Sequence, residues 1–222
     1  MKKALTLLMV FMVAVMWSST SFSADKYVSG NIGIVWLNDA TIEPAYDYNY
    51  PYQDVEVDFD SGITLLGALG CDYGDYRMEG ELGYQSGDIT SMTWDGPEAL
   101  PQDLAGDITV ISLLMNGYYD IDLGGIDLYG TAGVGVARVS FEDVQYDDPQ
   151  LVGEPLYTEH ATTLAYQIGA GLAIPVGDDV MLDARYRYFS TTEFTLDDVN
   201  FFENENTTIS SHSALLGLRV NL

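Results

Sequence analysis

The chain has 222 residues, which is enough for one domain behind an export signal. It carries 34 acidic and 8 basic residues and a formal net charge of −26, so electrostatic repulsion excludes nucleic acid as a partner. High acidity with few aromatic residues would indicate disorder, but 16 Tyr, 8 Phe and 3 Trp favour a folded chain. The single cysteine, Cys71, excludes an internal disulfide.

The N-terminus has the three-part layout of a secretory signal peptide. Lys2 and Lys3 precede an uncharged apolar run over residues 4–17, and small polar residues follow to Ala24. We therefore expect a signal peptide over residues 1–24 and one β-barrel domain over residues 25–222. An uncleaved anchor is the alternative, but the run is shorter than the roughly 20 residues that a spanning helix needs.

After the signal, eight stretches alternate apolar residues with polar or small ones, and their connections are alternately long and short. A period of two is typical of a strand with two different faces. The pattern predicts an all-β fold, an eight-stranded antiparallel up-and-down transmembrane β-barrel. A soluble barrel such as a lipocalin would turn the same apolar face inward, and the alternation alone does not separate the two cases. The clearest stretch sets Tyr76, Met78, Leu82 and Tyr84 against Arg77, Glu79, Glu81 and Gln85.

The fifth stretch, residues 126–141, has two possible orientations. If Arg138 faces inward, Gly133 and Gly135 face outward; if the glycines face inward, Arg138 is exposed near the rim. A bulge could reconcile the two arrangements. The orientation of this strand therefore stays open from sequence.

The few basic residues favour the membrane barrel. Six remain after the signal, and four of them fall on the polar face of a strand, near carboxylates on the same face. Carboxylates inside a narrow barrel need ionic partners. In the alternative interpretation, an ordinary solvated sheet face, water would solvate the carboxylates and they would need no partners. We therefore predict an interior charge network that consists of Arg77, Glu79, Glu81, Asp183, Arg185, Arg187 and Arg219.

Aromatic residues also favour a membrane location. On the apolar parity, Tyr73, Tyr76 and Tyr119 lie at the short-turn end, and Trp36, Tyr84 and Tyr188 lie toward the long-loop end. Membrane barrels carry such aromatic girdles at both interfaces. The predicted location is the cell outer membrane.

The connections differ in length and charge. The short ones, at residues 74–75, 122–125 and 177–179, contain the Gly and Asp of tight hairpins and should face the periplasm. The long ones, at residues 38–60, 87–106, 142–159 and 195–208, hold most of the acid and should form four extracellular loops.

The first long loop contains two alternating patterns. Val55, Val57 and Phe59 continue the outward parity of the second strand, so an acidic outer mouth is expected from Asp54, Glu56, Asp58 and Asp60 on the inward parity. Upstream, a row of tyrosines could bind sugars or partner proteins, or could pack within the loop. This row consists of Tyr46, Tyr48, Tyr50 and Tyr52.

The sequence predicts no catalytic residue, no metal site and no cofactor. Acidic pairs occur at residues 147–148, 178–179 and 197–198, but without a complete calcium motif, and loops bridged by divalent ions to lipopolysaccharide are the simpler reading. His160 and His212 are the only histidines, and on a strand Ser211 and Ser213 point away from His212.

Three segments carry a family resemblance. They are LMNGYYDIDLGGIDLYGTAGVGVARV (114–139), AYQIGAGLAIPVGDDVMLDARYRYF (165–189) and HSALLGLRVNL (212–222), and they resemble the opacity-type outer-membrane β-barrel family. The resemblance implies surface antigens, adhesins, serum-resistance proteins or minor porin-like proteins. It departs from the family at Leu222, where such barrels usually end in an aromatic residue that the barrel assembly machinery reads.

The expected function is that of an integral, non-enzymatic surface protein. Its acidic loops would contact host surfaces, neighbouring cells or lipopolysaccharide, and its other partners would be outer-membrane lipid and the assembly machinery. The alternative is a small porin-like channel that prefers cations because of the acidic mouth. Eight strands enclose an interior that side chains nearly fill, which makes the channel the weaker hypothesis.

Overall fold

A computed structural model describes residues 24–42, 55–94, 102–146, 157–196 and 205–222. Every regular element within these ranges is a β-strand, and every pairing is antiparallel. None of the described segments is a helix that could span a membrane. The expected signal peptide lies outside the described residues except for Ala24. The strands are β1 (Asp25–Leu37), β2 (Ala40–Ile42), β3 (Val55–Phe59), β4 (Gly62–Asp72), β5 (Tyr76–Trp94), β6 (Gln102–Asp122), β7 (Asp127–Tyr146), β8 (Tyr157–Pro175), β9 (Val180–Thr191), β10 (Phe194–Leu196), β11 (Glu205–Thr207) and β12 (Ser210–Asn221).

Eight of these strands pair in a ring. Going round, the order is β4, β5, β6, β7, β8, β9, β12 and β1, and β1 then pairs with β4 again. Ile32 of β1 lies opposite Leu216 of β12 on one side and Leu65 of β4 on the other. The predicted all-β antiparallel fold is confirmed, and the ladder returns on itself.

The apolar face of the ring points outward and the charged face points inward. Ile32, Leu82 and Leu216 are 62, 54 and 61% exposed, whereas Arg77 and Glu81 are 2 and 1% exposed. A soluble barrel would show the opposite arrangement, because water would solvate the ionic face. The alternation along the strands therefore encloses the charges and leaves a continuous apolar exterior.

The open orientation of the fifth predicted strand, now β7, is resolved in favour of inward glycines. Gly133 is buried, and a side chain there would collide with the carboxamide of Asn116 on β6. Ala137 and Val139 are also buried, which leaves Arg138 exposed on the outer face. The register from Asp127 through Phe141 is regular, so no bulge is needed along this stretch.

The strands of the ring differ in length. β5, β6, β7 and β8 have 19 to 21 residues, whereas β1, β4, β9 and β12 have 11 to 13. At about 3.3 Å per residue and a tilt near 40°, the long strands rise roughly 50 Å and the short ones roughly 30 Å. Two long hairpins therefore extend beyond an apolar band of about 25 Å. Much of the expected loops at residues 87–106 and 142–159 is continuous strand.

Smaller pairs lengthen the rest of the wall at the same end. β3 pairs with the end of β5 and with β2, so that it continues the wall above β4. β10 and β11 form a separate two-stranded hairpin in the connection between β9 and β12. The opposite end of the ring has tight turns, with positive φ at Gly74, Gly124 and Gly125, as their hairpin geometry requires.

Candidate functional site

The interior of the ring holds the seven residues of the predicted charge network. All are at most 6% exposed, and they project from β5, β9 and β12 at inward positions of the alternation. Buried ionic groups are stable only with partners of good geometry, so their contacts decide whether they form one network. The seven are Arg77, Glu79, Glu81, Asp183, Arg185, Arg187 and Arg219.

The first part of this interior lies near the short-turn end. Arg77 binds Asp120 in a bidentate pair, with Nε 2.6 Å from Oδ2 and Nη2 2.7 Å from Oδ1. Glu79 accepts hydrogen bonds from the hydroxyls of Tyr27 at 2.8 Å and Tyr118 at 2.7 Å. Arg77 Nη1 lies 3.8 Å from Glu79 Oε1, which joins the two groups into one cluster.

The middle of the interior is organised around Glu81. Arg185 Nη1 donates to Glu81 Oε2 at 3.1 Å, and the amides of Asn116 and Gln167 donate to the same carboxylate, each at 3.1 Å. Gln167 also donates to the Asn116 carbonyl at 2.7 Å, so the two amides hold each other in place. Hydrogen bonds to an ionised carboxylate are stronger than bonds between neutral groups, so these three donors stabilise the charge of Glu81.

Asp183 forms the other half of this cluster. It accepts hydrogen bonds from Tyr129 Oη at 2.8 Å and from the Asn31 amide at 3.1 Å. Tyr129 Oη in turn accepts from Arg185 Nε at 3.2 Å. Arg185 therefore links both carboxylates of the middle layer, directly to Glu81 and through Tyr129 to Asp183.

Arg187 and Arg219 have weaker partners. Arg187 Nη1 lies 4.0 Å from Glu81 Oε1, and none of its three nitrogens makes a hydrogen bond within the described residues. Its guanidinium lies 4.9 Å from the ring centre of Phe189. Arg219 Nη2 lies 3.7 Å from Asp127 Oδ2. The structure thus brings Arg77 together with Glu79, and Arg185 together with Glu81 and Asp183. Arg187 and Arg219 have only the longer contacts.

Sequence reasoning missed several members of this network. They are Tyr27, Tyr118, Tyr129, Asn31, Asn116, Gln167 and Asp120, which supply most of the hydrogen bonds to the charged groups. A usable signal is present in the sequence, because each one lies on the inward-facing parity of its own strand. The three tyrosines are missed because aromatic residues are assigned to the membrane interfaces and not to the interior.

An apolar layer fills the interior on the long-strand side of Arg187. The sequence does not predict it, because apolar side chains are assigned to the lipid-facing parity. Phe189 and Val139 are fully buried in it, and Ile108 and Val110 are 1% exposed. The interior is therefore filled by an ionic layer and then by an apolar layer. The buried members of the apolar layer are Leu37, Ala40, Val57, Ile89, Leu104, Ile108, Val110, Leu114, Ala137, Val139, Phe141, Val144, Ala165, Phe189, Phe194 and Ile209.

The predicted acidic outer mouth is wrong for the residues that the structure describes. Val57 is 6% exposed and packs in the apolar layer, whereas Glu56 on the opposite face is exposed. Asp60 and Ser61 lie outside regular strand, and the β3–β5 register shifts between Asp58 and Phe59. Because of these irregularities, the odd-numbered positions that face outward on β4 face inward at Val57 and Phe59 on β3, which is the reverse of the expected arrangement. Asp54 and the tyrosine row of residues 46–52 lie outside the described residues.

Glu56 and Asp58 lie on the outer face of β3, close to Asp39. Oxygens of Asp39, Glu56 and Asp58 lie within 4.8 Å of one another, and oxygen ligands of this kind suit a hard divalent cation. Ser91 donates a hydrogen bond to Asp58, which already occupies part of that carboxylate. Exposed acidic groups of this kind are common without an ion.

The histidines lie on the outer surface. His212 Nδ1 is 2.6 Å from Tyr186 Oη, and its ring centre is 5.0 Å from that of Tyr188. Ser211 and Ser213 are fully buried on the opposite face, where Ser211 donates to Gln85 at 2.8 Å. The predicted separation of these serines from His212 is confirmed.

An antiparallel ring with an apolar exterior and an ionic interior defines an integral outer-membrane β-barrel. Residues 4–221 match the family described as "Outer membrane protein beta-barrel domain". The chain belongs to that family, which agrees with the resemblance to opacity-type barrels and confirms the cell outer membrane as its location. No curated protein matches the chain.

Solved structures similar to this chain are also outer-membrane proteins. OprG from Pseudomonas aeruginosa is 14% identical with a TM-score of 0.55, and the match covers 90% of this chain and 97% of OprG. The protease OmpT from Escherichia coli is 11% identical with a TM-score of 0.51, covering 92% and 99%. Neisserial surface protein A is 18% identical with a TM-score of 0.49, covering 89% and 97%. At these identities the likeness establishes the fold alone.

Proposed function

We propose that this chain is a non-conducting, non-enzymatic surface protein of the outer membrane. Its long hairpins and acidic loops would face outside and contact lipopolysaccharide, host surfaces or neighbouring cells, and its tight turns would face the periplasm. The observation that carries this proposal is the filled interior. Ionic and apolar layers follow each other along the axis, and their side chains have almost no exposed surface.

The hairpins support a role at the surface. β5 to β8 extend well beyond the length that a bilayer needs, and a protein uses such rigid projections to present loops for binding. The balance of 34 acidic and 8 basic residues would attract divalent cations to these projections, and such ions can bridge acidic loops to the phosphates of lipopolysaccharide.

The surroundings of the histidines support a non-enzymatic role. A serine hydrolase needs its base within hydrogen-bond reach of the nucleophile. His212 instead contacts Tyr186 outside the ring, while Ser211 and Ser213 are buried inside it. His160 is exposed on β8 opposite Ser140, a position that faces outward.

The alternative is a cation-preferring channel, and single-channel recording separates it from the proposal. We expect the purified protein, refolded into planar bilayers, to give no stable conductance steps, because the ionic and apolar layers block the axis. A large porin inserted in the same bilayers serves as the positive control. Stable cation-selective steps from the unmodified protein would reverse the order of the two functions.

A further inference from the structure

The outer surface of the ring carries one basic group whose position is unusual. Arg138 on β7 is exposed, whereas Arg77, Arg185, Arg187 and Arg219 are all at most 6% exposed inside the ring. Among the described residues it is thus the one arginine that faces outward, and it has no ion pair there. A basic side chain on the exterior of a membrane barrel is costly within the apolar band and tolerated at its boundary.

The position of Arg138 along β7 places it at such a boundary. Leu128, the first exposed apolar residue of β7, precedes it by ten positions on the same face. Ten residues span about 33 Å along a strand, or about 25 Å along the membrane normal at a tilt near 40°. This distance equals the height of the apolar band. With the tight turns in the periplasm, as the proposed function has it, Arg138 lies at the outer-leaflet headgroups.

The surroundings of Arg138 can donate hydrogen bonds. Thr162 on β8 lies directly opposite it, and Ser140, two positions further out, lies between His160 on β8 and Thr109 on β6. All five positions share the outward face, and none carries a carboxylate. The next row outward holds the opposed pair Asp107 and Glu142, so the basic patch is bounded by acid on its outer side.

This arrangement matches a phosphate group held at the membrane surface. An arginine binds phosphate oxygens in a bidentate manner, and hydroxyl and imidazole donors can hold the remaining oxygens. In the outer leaflet, phosphates at this height belong to lipid A, the anchor of lipopolysaccharide. We propose that Arg138, with Thr162, Ser140 and His160, binds a phosphate of lipid A.

Binding at Arg138 would give the barrel one attractive contact with lipopolysaccharide, although the net negative charge of the chain repels anionic lipid. A chain with a net charge of −26 repels anionic lipid, and one cationic contact beside the apolar band would hold a lipopolysaccharide molecule against the long wall. The same contact would fix the depth of the barrel in the bilayer.

The test compares lipid binding by the purified, refolded protein in detergent. We expect Arg138→Gln to weaken binding of diphosphorylated lipid A at least fivefold, with no change in the weak binding of dephosphorylated lipid A. Arg138→Lys should recover part of the affinity, because it restores the charge without the bidentate geometry. Lys26→Gln is the matched control, since Lys26 is exposed at the opposite end of the ring.

Several results would overturn this inference. Equal binding of phosphorylated and dephosphorylated lipid A by the unmodified protein would do so, and so would unchanged affinity in Arg138→Gln. Displacement of lipid A by an excess of inorganic phosphate would point to a site for free phosphate instead. Heat-dependent gel mobility of each variant confirms that it is folded. A conducting protein with Arg138-dependent lipid binding would overturn the proposed function alone.

Discussion

At the residue scale, Arg185 and Arg187 lie two positions apart on β9 but have different surroundings. Arg185 donates hydrogen bonds to Glu81 and Tyr129, whereas the guanidinium of Arg187 makes none within the described residues. Removing one partner of a buried ion pair leaves an uncompensated charge, which is far more costly than removing an ion that is poorly paired. The two arginines should therefore contribute very differently to stability.

Methionine substitutions test this difference because they keep most of the side-chain length. Arg185→Met should lower the free energy of unfolding by about 3–5 kcal/mol, since Glu81 loses its close cation. Arg187→Met should change it by about 1 kcal/mol or less, because Glu81 keeps Arg185, Asn116 and Gln167. Urea unfolding in lipid vesicles, followed by tryptophan fluorescence, measures both. Equal losses would contradict the assigned pairing.

At the element scale, β3 reverses the faces expected from the sequence. Val57 lies opposite Met92 of β5 and packs inward, while Glu56 and Asp58 face outward. Alternation holds within each continuous strand, but the irregular residues Asp60 and Ser61 break it between β3 and β4. A polar residue should therefore be tolerated at position 56 and not at position 57.

Two adjacent substitutions on β3 make this a direct test. Val57→Asp places an unpaired carboxylate in the apolar layer and should cost about 2 kcal/mol, a fall of roughly 4–8 °C in melting temperature. Glu56→Ala should change stability by about 0.5 kcal/mol or less, because its side chain is exposed. Circular dichroism in detergent measures both melting temperatures. The opposite ranking would restore the expectation that the acidic residues face inward.

The faces of the ring strands are predictable from the sequence because their alternation is long and uninterrupted. Arg77, Glu79 and Glu81 stand out on β5, so their shared face can be recognised from the alternation alone. The apolar layer cannot be recognised in this way, because Leu114 and Phe189 lie inside the ring yet have the same chemistry as the lipid-facing residues. A simple alternation rule places polar residues inside the ring and apolar residues against lipid. The interior of this ring contains both polar and apolar residues, so the rule finds only the polar ones.

At the scale of the whole molecule, closure of the ring makes the strands interdependent. Each of the eight strands is paired on both sides, and β1 pairs with β12 although they stand at opposite ends of the chain. An open sheet can lose one edge strand and keep the remainder, but a ring that loses one strand exposes two edges to lipid. Damage to one ladder should therefore unfold the entire barrel.

Leu216 in the middle of β12 is a suitable place to test this interdependence. It lies between Ile32 of β1 and Ala184 of β9, and its side chain is 61% exposed on the outer face. Leu216→Pro removes the backbone N–H from the ladder and should abolish the heat-dependent gel mobility of the folded protein. Leu216→Ala keeps that N–H and should retain the folded band, because it removes only lipid-facing carbon. A folded band that survives in Leu216→Pro would mean that β12 can leave the ring without opening it, which contradicts the closure argument.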